Sequence, residues 1–313
     1  MRSVLRQRVQ CDAEKSVMRS PLRNALVLLL VALFCPSSRT EQAAENVSAD
    51  ALLPPQGTLA DVVSSGSLEK VKLLIASGSD VNQRNAAEFT PLMLACEKGY
   101  YFSATELLKA GAIASHHDSR GVSALTLAVS GNFTEIVSAL LDVQADPNTT
   151  NSMGLTVTMQ ACKLNYPVIL KLLVLNGADL NKRTPAGDSA LHFAAIAGYL
   201  QLVSILLAAG SDAECVQSSG HTPLMLAASR GHADVIAELI SHGVNIDRRD
   251  GIGMSALDHA IYRRQLTSMK LLAEAGAEMA RAGISMNEES RLKREISLWK
   301  KAHPHQLHRL EEL

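Results

Sequence analysis

The chain has 313 residues, of which 47% are hydrophobic and 4% aromatic, and its formal net charge at pH 7 is -1. A nearly neutral chain with no long basic or acidic tail is not typical of nucleic-acid-binding proteins. The low aromatic content predicts a core built from Leu and Ala, and the five cysteines show no spacing typical of a disulfide framework.

The chain opens with scattered Arg residues that lead into an unbroken apolar run, Ala25 to Phe34. Because a transmembrane helix needs about 20 apolar residues, this run is too short to span a bilayer. A basic lead, a short apolar block and small polar residues after it are typical of a secretory signal, for which Met18 would be a more compact start. Residues 1–38 are therefore predicted to be a leader, either a cleaved signal or an uncleaved anchor; the alternative is a buried or partner-bound helix without a role in export.

The leader predicts a location in the secretory pathway or at a membrane, with a cytoplasmic location as the alternative. Residues 39–56 follow the leader, and they are polar and contain Pro54 and Pro55. This composition predicts a linker between the leader and the rest of the chain.

From residue 57 onward one pattern recurs. Thr-Pro-Leu-Met-Leu-Ala begins at Thr90 and again at Thr222, and degenerate copies lie between and after them at a constant interval of 33 residues, beginning at Ser123, Thr156, Ser189 and Ser255. Thr and Ser favour the N-cap of a helix, and Pro favours its first position. In five of the six copies, Gly or Asn follows nine residues later, where it favours the end of that helix.

A second apolar segment and a polar, glycine-containing segment complete each copy, so the pattern predicts helix, turn, helix and hairpin. The sequences Gly220 to Ala227 (G-x-T-P-L-x-x-A) and Gly177 to Asn181 (G-A-D-x-N) resemble the ankyrin repeat. The resemblance implies an all-α ankyrin-repeat solenoid of about seven units over residues 57–280, with short hairpin loops. The first unit lacks the Thr-Pro opening. The last unit has Arg264 where Gly is expected, which predicts a distorted cap.

Residues 281–313 follow the repeats. Leu292, Ile296 and Trp299 lie on one face of a predicted helix, which we expect to cover the apolar end of the last repeat. Pro304 is expected to end this helix, and the tail after it is predicted to be mobile.

Motifs for catalysis or cofactor binding are weak. Gly251 to Ala256 resembles a dinucleotide fingerprint, but Gly253 is the turn glycine of the repeat and no apolar strand precedes it. His116 and His117 lack a second ligand group at zinc spacing, and His192 and His221 are expected to form local bonds that support the backbone. No catalytic residue, cofactor or metal site is therefore predicted.

The resemblance instead implies a non-catalytic protein–protein interaction scaffold that binds through its hairpin tips and first helices. The alternative function is a tether, in which the leader holds the repeats at a membrane or in a lumen. The predicted contact surface is an apolar stripe with basic edges, suited to an acidic or amphipathic protein segment. It comprises Phe89, Lys98, Val122, Leu155, Leu164, Lys182, Arg183, Arg230, Arg248, Arg249, Met254, Tyr262 and Arg263. The alternative for the apolar members of this set is that they pack on adjacent hairpins.

Overall fold

The computed structural model describes residues 57–277 and Arg294. Within this part the chain forms fourteen α-helices and no β-strand, which confirms the predicted all-α class. None of the described helices is long and apolar enough to cross a membrane. The predicted leader, the linker and, apart from Arg294, the predicted C-terminal helix lie outside the described residues.

The described helices fall into two compact units, divided between His116 and His117. The first unit contains two helix pairs: α1 (Leu59–Ser64) with α2 (Leu68–Ala76), and α3 (Pro91–Lys98) with α4 (Tyr101–Lys109).

The second unit contains five helix pairs. In chain order they are α5 (Ala124–Ser130) with α6 (Thr134–Asp142), α7 (Val157–Leu164) with α8 (Pro167–Leu175), α9 (Ala190–Ala197) with α10 (Leu200–Ala208), α11 (Pro223–Arg230) with α12 (Ala233–Ser241), and α13 (Ala256–Tyr262) with α14 (Leu266–Glu274).

Hydroxyl caps start the first helix of each pair. The Thr90 side chain accepts a hydrogen bond from the Met93 N–H at 3.2 Å, and the equivalent Thr156 accepts from Met159 at 3.1 Å. The first pair also has a hydroxyl cap, which the sequence pattern did not reveal because Thr58 lies one residue later than the repeat predicts. The Thr90 and Thr156 caps each satisfy an amide that has no partner inside its helix.

The last described pair is regular, so the expectation of a distorted cap was wrong. Arg264 adopts the left-handed conformation that the repeat requires, with φ of 56°, as Asn165 does with φ of 60°. For an L-residue this conformation costs about 1–2 kcal/mol. The repeat therefore imposes the backbone conformation even where the residue at that position is neither Gly nor Asn.

The core of the second unit lies between its two layers of helices. The first helices α7, α9, α11 and α13 contact one another in sequence, and the second helices α10, α12 and α14 form a similar row. Leu191 of α9 and Leu202 and Leu206 of α10 are fully buried between these rows. Each short helix is thus stabilised by its neighbours rather than by its own length.

The hairpins between repeats are closed by a side chain at one repeat position. Oδ1 of Asp118 accepts from the amides of Arg120 at 3.0 Å and Val122 at 2.8 Å. Oδ1 of Asp250, four repeats later, accepts from Ile252 at 3.0 Å and Met254 at 2.9 Å. This turn leaves the second carboxylate oxygen of each Asp available to other groups.

Candidate partner-binding surface and a histidine–aspartate cluster

The apolar side chains that precede the helix caps are half-buried rather than exposed. This holds for Phe89 in the first unit and for Val122, Leu155 and Met254 in the second. Leu155 packs against the core of the second unit. For Leu155 the structure therefore favours the packing alternative, and contact with a partner through this row stays a prediction.

Three of the four predicted basic side chains of the hairpins hold consecutive hairpins together. Lys182 Nζ donates to the Asn148 carbonyl at 2.8 Å, and Arg183 Nη1 donates to the Val216 carbonyl at 3.3 Å. Arg248 Nη1 lies 3.0 Å from Glu214 Oε2. The Arg249 guanidinium stays within its own hairpin, on the Gly253 carbonyl at 3.1 Å. A partner that bound these four residues would compete with contacts inside the chain.

The C-terminal ends of the first helices carry exposed side chains with fewer such contacts. Tyr262 at the end of α13 is 73% exposed, and the Arg263 guanidinium lies 5.7 Å from the centroid of its ring. Arg230 is exposed at the equivalent position of the neighbouring helix α11. We call Arg230, Tyr262 and Arg263 the helix-end patch.

Two further predicted residues lie at the equivalent helix ends of other repeats. Leu164 is exposed at the end of α7 in the second unit. Lys98 is exposed at the end of α3 in the first unit, where its Nζ lies 4.0 Å from Glu97 Oε2. All the predicted residues at helix ends are therefore exposed, in contrast to the half-buried row before the caps.

Sequence reasoning missed two exposed apolar residues on the hairpins of the second unit, Met153 and Ile252. Each immediately precedes a turn glycine, Gly154 or Gly253, whose φ is positive. An apolar residue at a turn tip was the signal that could have identified them, because turns normally carry polar residues there.

A second feature of the second unit joins three side chains from neighbouring repeats. The Asp250 Oδ2 atom lies 2.8 Å from His259 Nε2 and 3.3 Å from His221 Nε2. The two imidazole rings meet edge to face, with centroids 4.9 Å apart. We call His221, Asp250 and His259 the histidine–aspartate cluster. Its ligand-type atoms all lie within 4.8 Å of one another.

Hydrogen bonds and burial set the charge state of the cluster. Burial opposes ionisation of Asp250, but hydrogen bonds from Met254, His259 and Ile252 outweigh it and lower the pKa of the carboxyl group. Burial lowers the pKa of His221, the nearby His259 lowers it further, and Asp250 opposes both. The cluster is therefore a carboxylate facing an imidazole whose neutral form is favoured.

The sequence pattern gave no sign of this cluster because its members belong to different repeats. His221 precedes the cap of α11, Asp250 closes the following hairpin, and His259 lies on α13. At the position of His259, α3, α5 and α11 carry Leu94, Leu127 and Leu226. The expected local role of His221 also needs correction: its Nδ1 does meet the nearby Gln217 and Ser219, but its Nε2 reaches across to Asp250.

A buried Cys–His pair was also missed, but it lacks the features of a nucleophile. Cys215 Sγ lies 3.5 Å from His192 Nδ1, yet that nitrogen already accepts from the Ser189 amide at 3.1 Å. His192 Nε2 lies 3.2 Å from the His221 carbonyl. Burial raises the pKa of the Cys215 thiol, whereas a nucleophilic cysteine needs a lowered pKa and access to substrate. The pair is therefore part of the core.

Two curated relatives share sequence with a limited part of the chain. Protein phosphatase 1 regulatory subunit 27 from Homo sapiens is 45% identical over 64 residues, which are 20% of this chain and 42% of the relative. The Mus musculus protein of the same name is 43% identical over 70 residues, 22% of this chain and 46% of the relative. The chain thus matches less than half the length of either relative.

Solved structures are similar over a larger part of the chain. The ankyrin repeat domain of Bcl-3, a member of the IkappaB protein family, matches 70% of this chain and 98% of its own length, with a TM-score of 0.63 and 26% identity. An ankyrin repeat domain from Acinetobacter baumannii AYE matches 60% of this chain and 98% of its own, with a TM-score of 0.57 and 28% identity.

A sequence-family profile described as "Ankyrin repeats (3 copies)" matches residues 59–151, 143–214, 158–250 and 191–282. These overlapping matches cover more than half of the chain, and they include every described helix. The match agrees with the helix pairs, the hydroxyl caps and the left-handed residues that recur every 33 residues. The chain therefore belongs to the ankyrin repeat family.

Proposed function

We propose that this chain is a non-catalytic scaffold that binds an acidic or amphipathic segment of another protein. The observation that carries the proposal is the helix-end patch, in which Arg230, Tyr262 and Arg263 project from two neighbouring helices. Tyr and Arg are enriched among the residues that contribute most to protein–protein binding. Ankyrin repeats place such side chains on a rigid stack, which lowers the entropy lost on binding.

The chemistry of the patch favours carboxylates on the partner. A guanidinium group forms paired hydrogen bonds with a carboxylate, and the Tyr262 ring offers apolar area beside it. Arg230 also lies in the last turn of α11, where a cation stabilises the helix dipole by about 0.3–1 kcal/mol. This stabilisation of the helix is small, so it does not by itself account for Arg230, and the residue can also bind a partner.

The two curated relatives are named as regulatory subunits of protein phosphatase 1. A regulatory subunit is a binding protein, which agrees with the proposed class of function. Because the match covers about a fifth of this chain, protein phosphatase 1 is one partner to test among others.

The first prediction concerns the helix-end patch. Replacing Tyr262 and Arg263 with Ser is expected to abolish partner capture, because it removes the aromatic anchor and its neighbouring cation. Thermal stability should change little, since both side chains are exposed. The measurement is affinity capture from the protein's own cells with quantitative mass spectrometry, at two salt concentrations, with protein phosphatase 1 scored explicitly.

The matched control replaces Leu175 and Lys171 with Ser. These residues form an equally exposed apolar and cationic pair on the second helix α8, and Leu175 is 81% exposed. The proposal would be supported by proteins that the patch variant loses and the control retains, and whose binding is weaker at the higher salt concentration. If both variants retain the same proteins as the wild type, the patch is not the binding surface.

The tethering alternative depends on the leader rather than on the repeats. We propose that, if residues 1–38 direct export or anchor the chain, the same scaffold holds its partner at a membrane or in a lumen. The apolar run from Ala25 to Phe34 is the feature that supports it.

A further inference from the structure

We propose that the histidine–aspartate cluster is a binding site for a divalent transition-metal ion of the zinc class. The ion would be held by Nε2 of His221, Nε2 of His259 and Oδ2 of Asp250. Two imidazoles and one carboxylate are ligands that zinc accepts in proteins, usually with water at the fourth position. This inference is independent of the partner-binding proposal.

The distances from Asp250 Oδ2 to the two histidine nitrogens suit such an ion. Ligand atoms about 2.0–2.1 Å from a tetrahedral zinc ion are about 3.3 Å apart. Asp250 Oδ2 lies 3.3 Å from His221 Nε2 and 2.8 Å from His259 Nε2. An outward shift of about half an ångström at His259 would bring the shorter separation to the tetrahedral value.

The chain fixes two of the ligands through their other polar atoms. Asp250 Oδ1 is occupied by the amides of Ile252 and Met254, so the orientation of Oδ2 is set by the hairpin. His221 Nδ1 lies 2.7 Å from Ser219 Oγ, which can accept an Nδ1–H bond when Nε2 binds a metal. The Gln217 amide, whose Nε2 lies 2.9 Å from the same nitrogen, would then turn its oxygen toward the ring. Such outer hydrogen bonds are typical of histidine ligands.

Charge also favours a cation at this point. The Asp250 side chain is 1% exposed, and its ion pairs in the described part of the chain are with the two histidines. The equivalent Asp118 is also buried, but it faces the permanently charged Arg120 at 2.8 Å. A divalent ion would pair the buried Asp250 carboxylate with a permanent positive charge, as Arg120 does for Asp118.

The site is accessible on one side. The side chains of His221 and His259 are 27% and 13% exposed, so an ion can enter and a water molecule can complete its coordination. Binding of the ion would link His221, which precedes the cap of α11, to Asp250 in the next hairpin and to His259 on α13. The ion would therefore hold together the last two described repeats.

The test uses the full chain, freed of metal by chelation and titrated with Zn²⁺ by calorimetry and with Co²⁺ by visible absorption. One ion per chain should bind at the cluster. His259→Leu should lower the affinity of that site by more than the about 10–100-fold that is typical for loss of an outer hydrogen bond. Leu is expected to fold here because α3, α5 and α11 carry it at the equivalent position.

Asp250→Asn serves as a second variant, because its side-chain oxygen still closes the hairpin as Asn151 does. His242→Gln is the matched control, since His242 is exposed and lies outside the cluster. Zn²⁺ should raise the unfolding temperature of the wild type and of the control but not of the two cluster variants. The proposal is overturned if no ion binds, or if His259→Leu and Asp250→Asn bind it as the wild type does; the latter result would place the ion on other histidines of the chain.

Discussion

Asp118 and Asp250 occupy the same position in the repeat, and each uses Oδ1 to close its own hairpin. They differ in what the second oxygen contacts: Arg120 in one hairpin, and two histidines in the other. One repeat position therefore combines a shared structural role with a local chemical environment that depends on neighbouring side chains. The fold requires the hydrogen bonds to Oδ1, whereas the contacts of Oδ2 differ between the two hairpins.

This difference predicts a pH-dependent contribution of Asp118 to stability. Burial opposes its ionisation, but hydrogen bonds from Val122 and Arg120 and the Arg120 charge together lower its pKa below the ordinary value for Asp. A carboxyl group with a lowered folded-state pKa stabilises the fold above the unfolded-state pKa. That stabilisation is lost as the pH falls below the unfolded-state pKa and through the lower folded-state pKa.

Asp118→Asn should keep the hairpin bonds, as Asn151 does, and lose only the charge. We expect it to lower the free energy of unfolding by about 0.5–1 kcal/mol at pH 6, because Arg120 is largely exposed. At pH 3 the difference in stability between the two proteins should be smaller than at pH 6, because part of the stabilisation by the Asp118 charge is then lost. Urea denaturation at both pH values measures the effect, and an equal difference at the two values would contradict it.

At the scale of the elements, the hairpins are as strongly constrained as the helices. Gly220 has φ of 85°, and a Cβ there would lie 2.5 Å from the Gly251 amide nitrogen of the next hairpin. Gly253, at the same position one repeat later, has φ of 88°, and a Cβ there would meet nothing within 4 Å. Both positions need a left-handed backbone, but only Gly220 also needs the absence of a side chain.

Substitutions at these two glycines separate the stability cost of backbone strain from the cost of disturbing close packing. Gly253→Ala should cost about 1–2 kcal/mol of stability, from the left-handed conformation alone. Gly220→Ala should cost clearly more, because adjacent backbones must move apart to admit the methyl group. Thermal and chemical unfolding of the two variants gives the comparison. Equal losses would mean that the hairpins separate easily and that the close approach contributes nothing to stability.

At the scale of the whole molecule, we expect the described repeats and the predicted leader to have separate roles. Each described repeat packs mainly on its neighbours, so we expect the repeats to fold without residues 1–38. The leader should determine where the protein is located. This division allows the leader to be tested without disturbing the repeats.

Deletion of residues 1–38 is therefore expected to change the location of the protein without changing its thermal stability. The measurement is fractionation of the protein's own cells, combined with N-terminal sequencing of the full-length product. A mature N-terminus near Ser37 or Ser38, together with a lumenal or secreted location that the deletion abolishes, would support a signal. If the full-length protein and the deletion variant are found together in the cytosol, the leader does not direct export.

The sequence by itself determined the repeating backbone of this protein. Hydroxyl caps, helix-ending residues and turn glycines act on the residues next to them, so their 33-residue spacing was enough to predict the helix pairs and the family. Even Arg264, which is unsuited to its position, adopts the left-handed conformation that the repeat predicts.

Only the tertiary structure decided what the side chains on that backbone contact. Leu155 and Tyr262 were predicted as members of one surface, yet Leu155 packs on the core and Tyr262 extends into solvent. The histidine–aspartate cluster joins side chains up to 38 residues apart in the chain. Burial and side-chain proximity depend on how neighbouring repeats pack together, and a pattern read within one repeat carries no information about that packing.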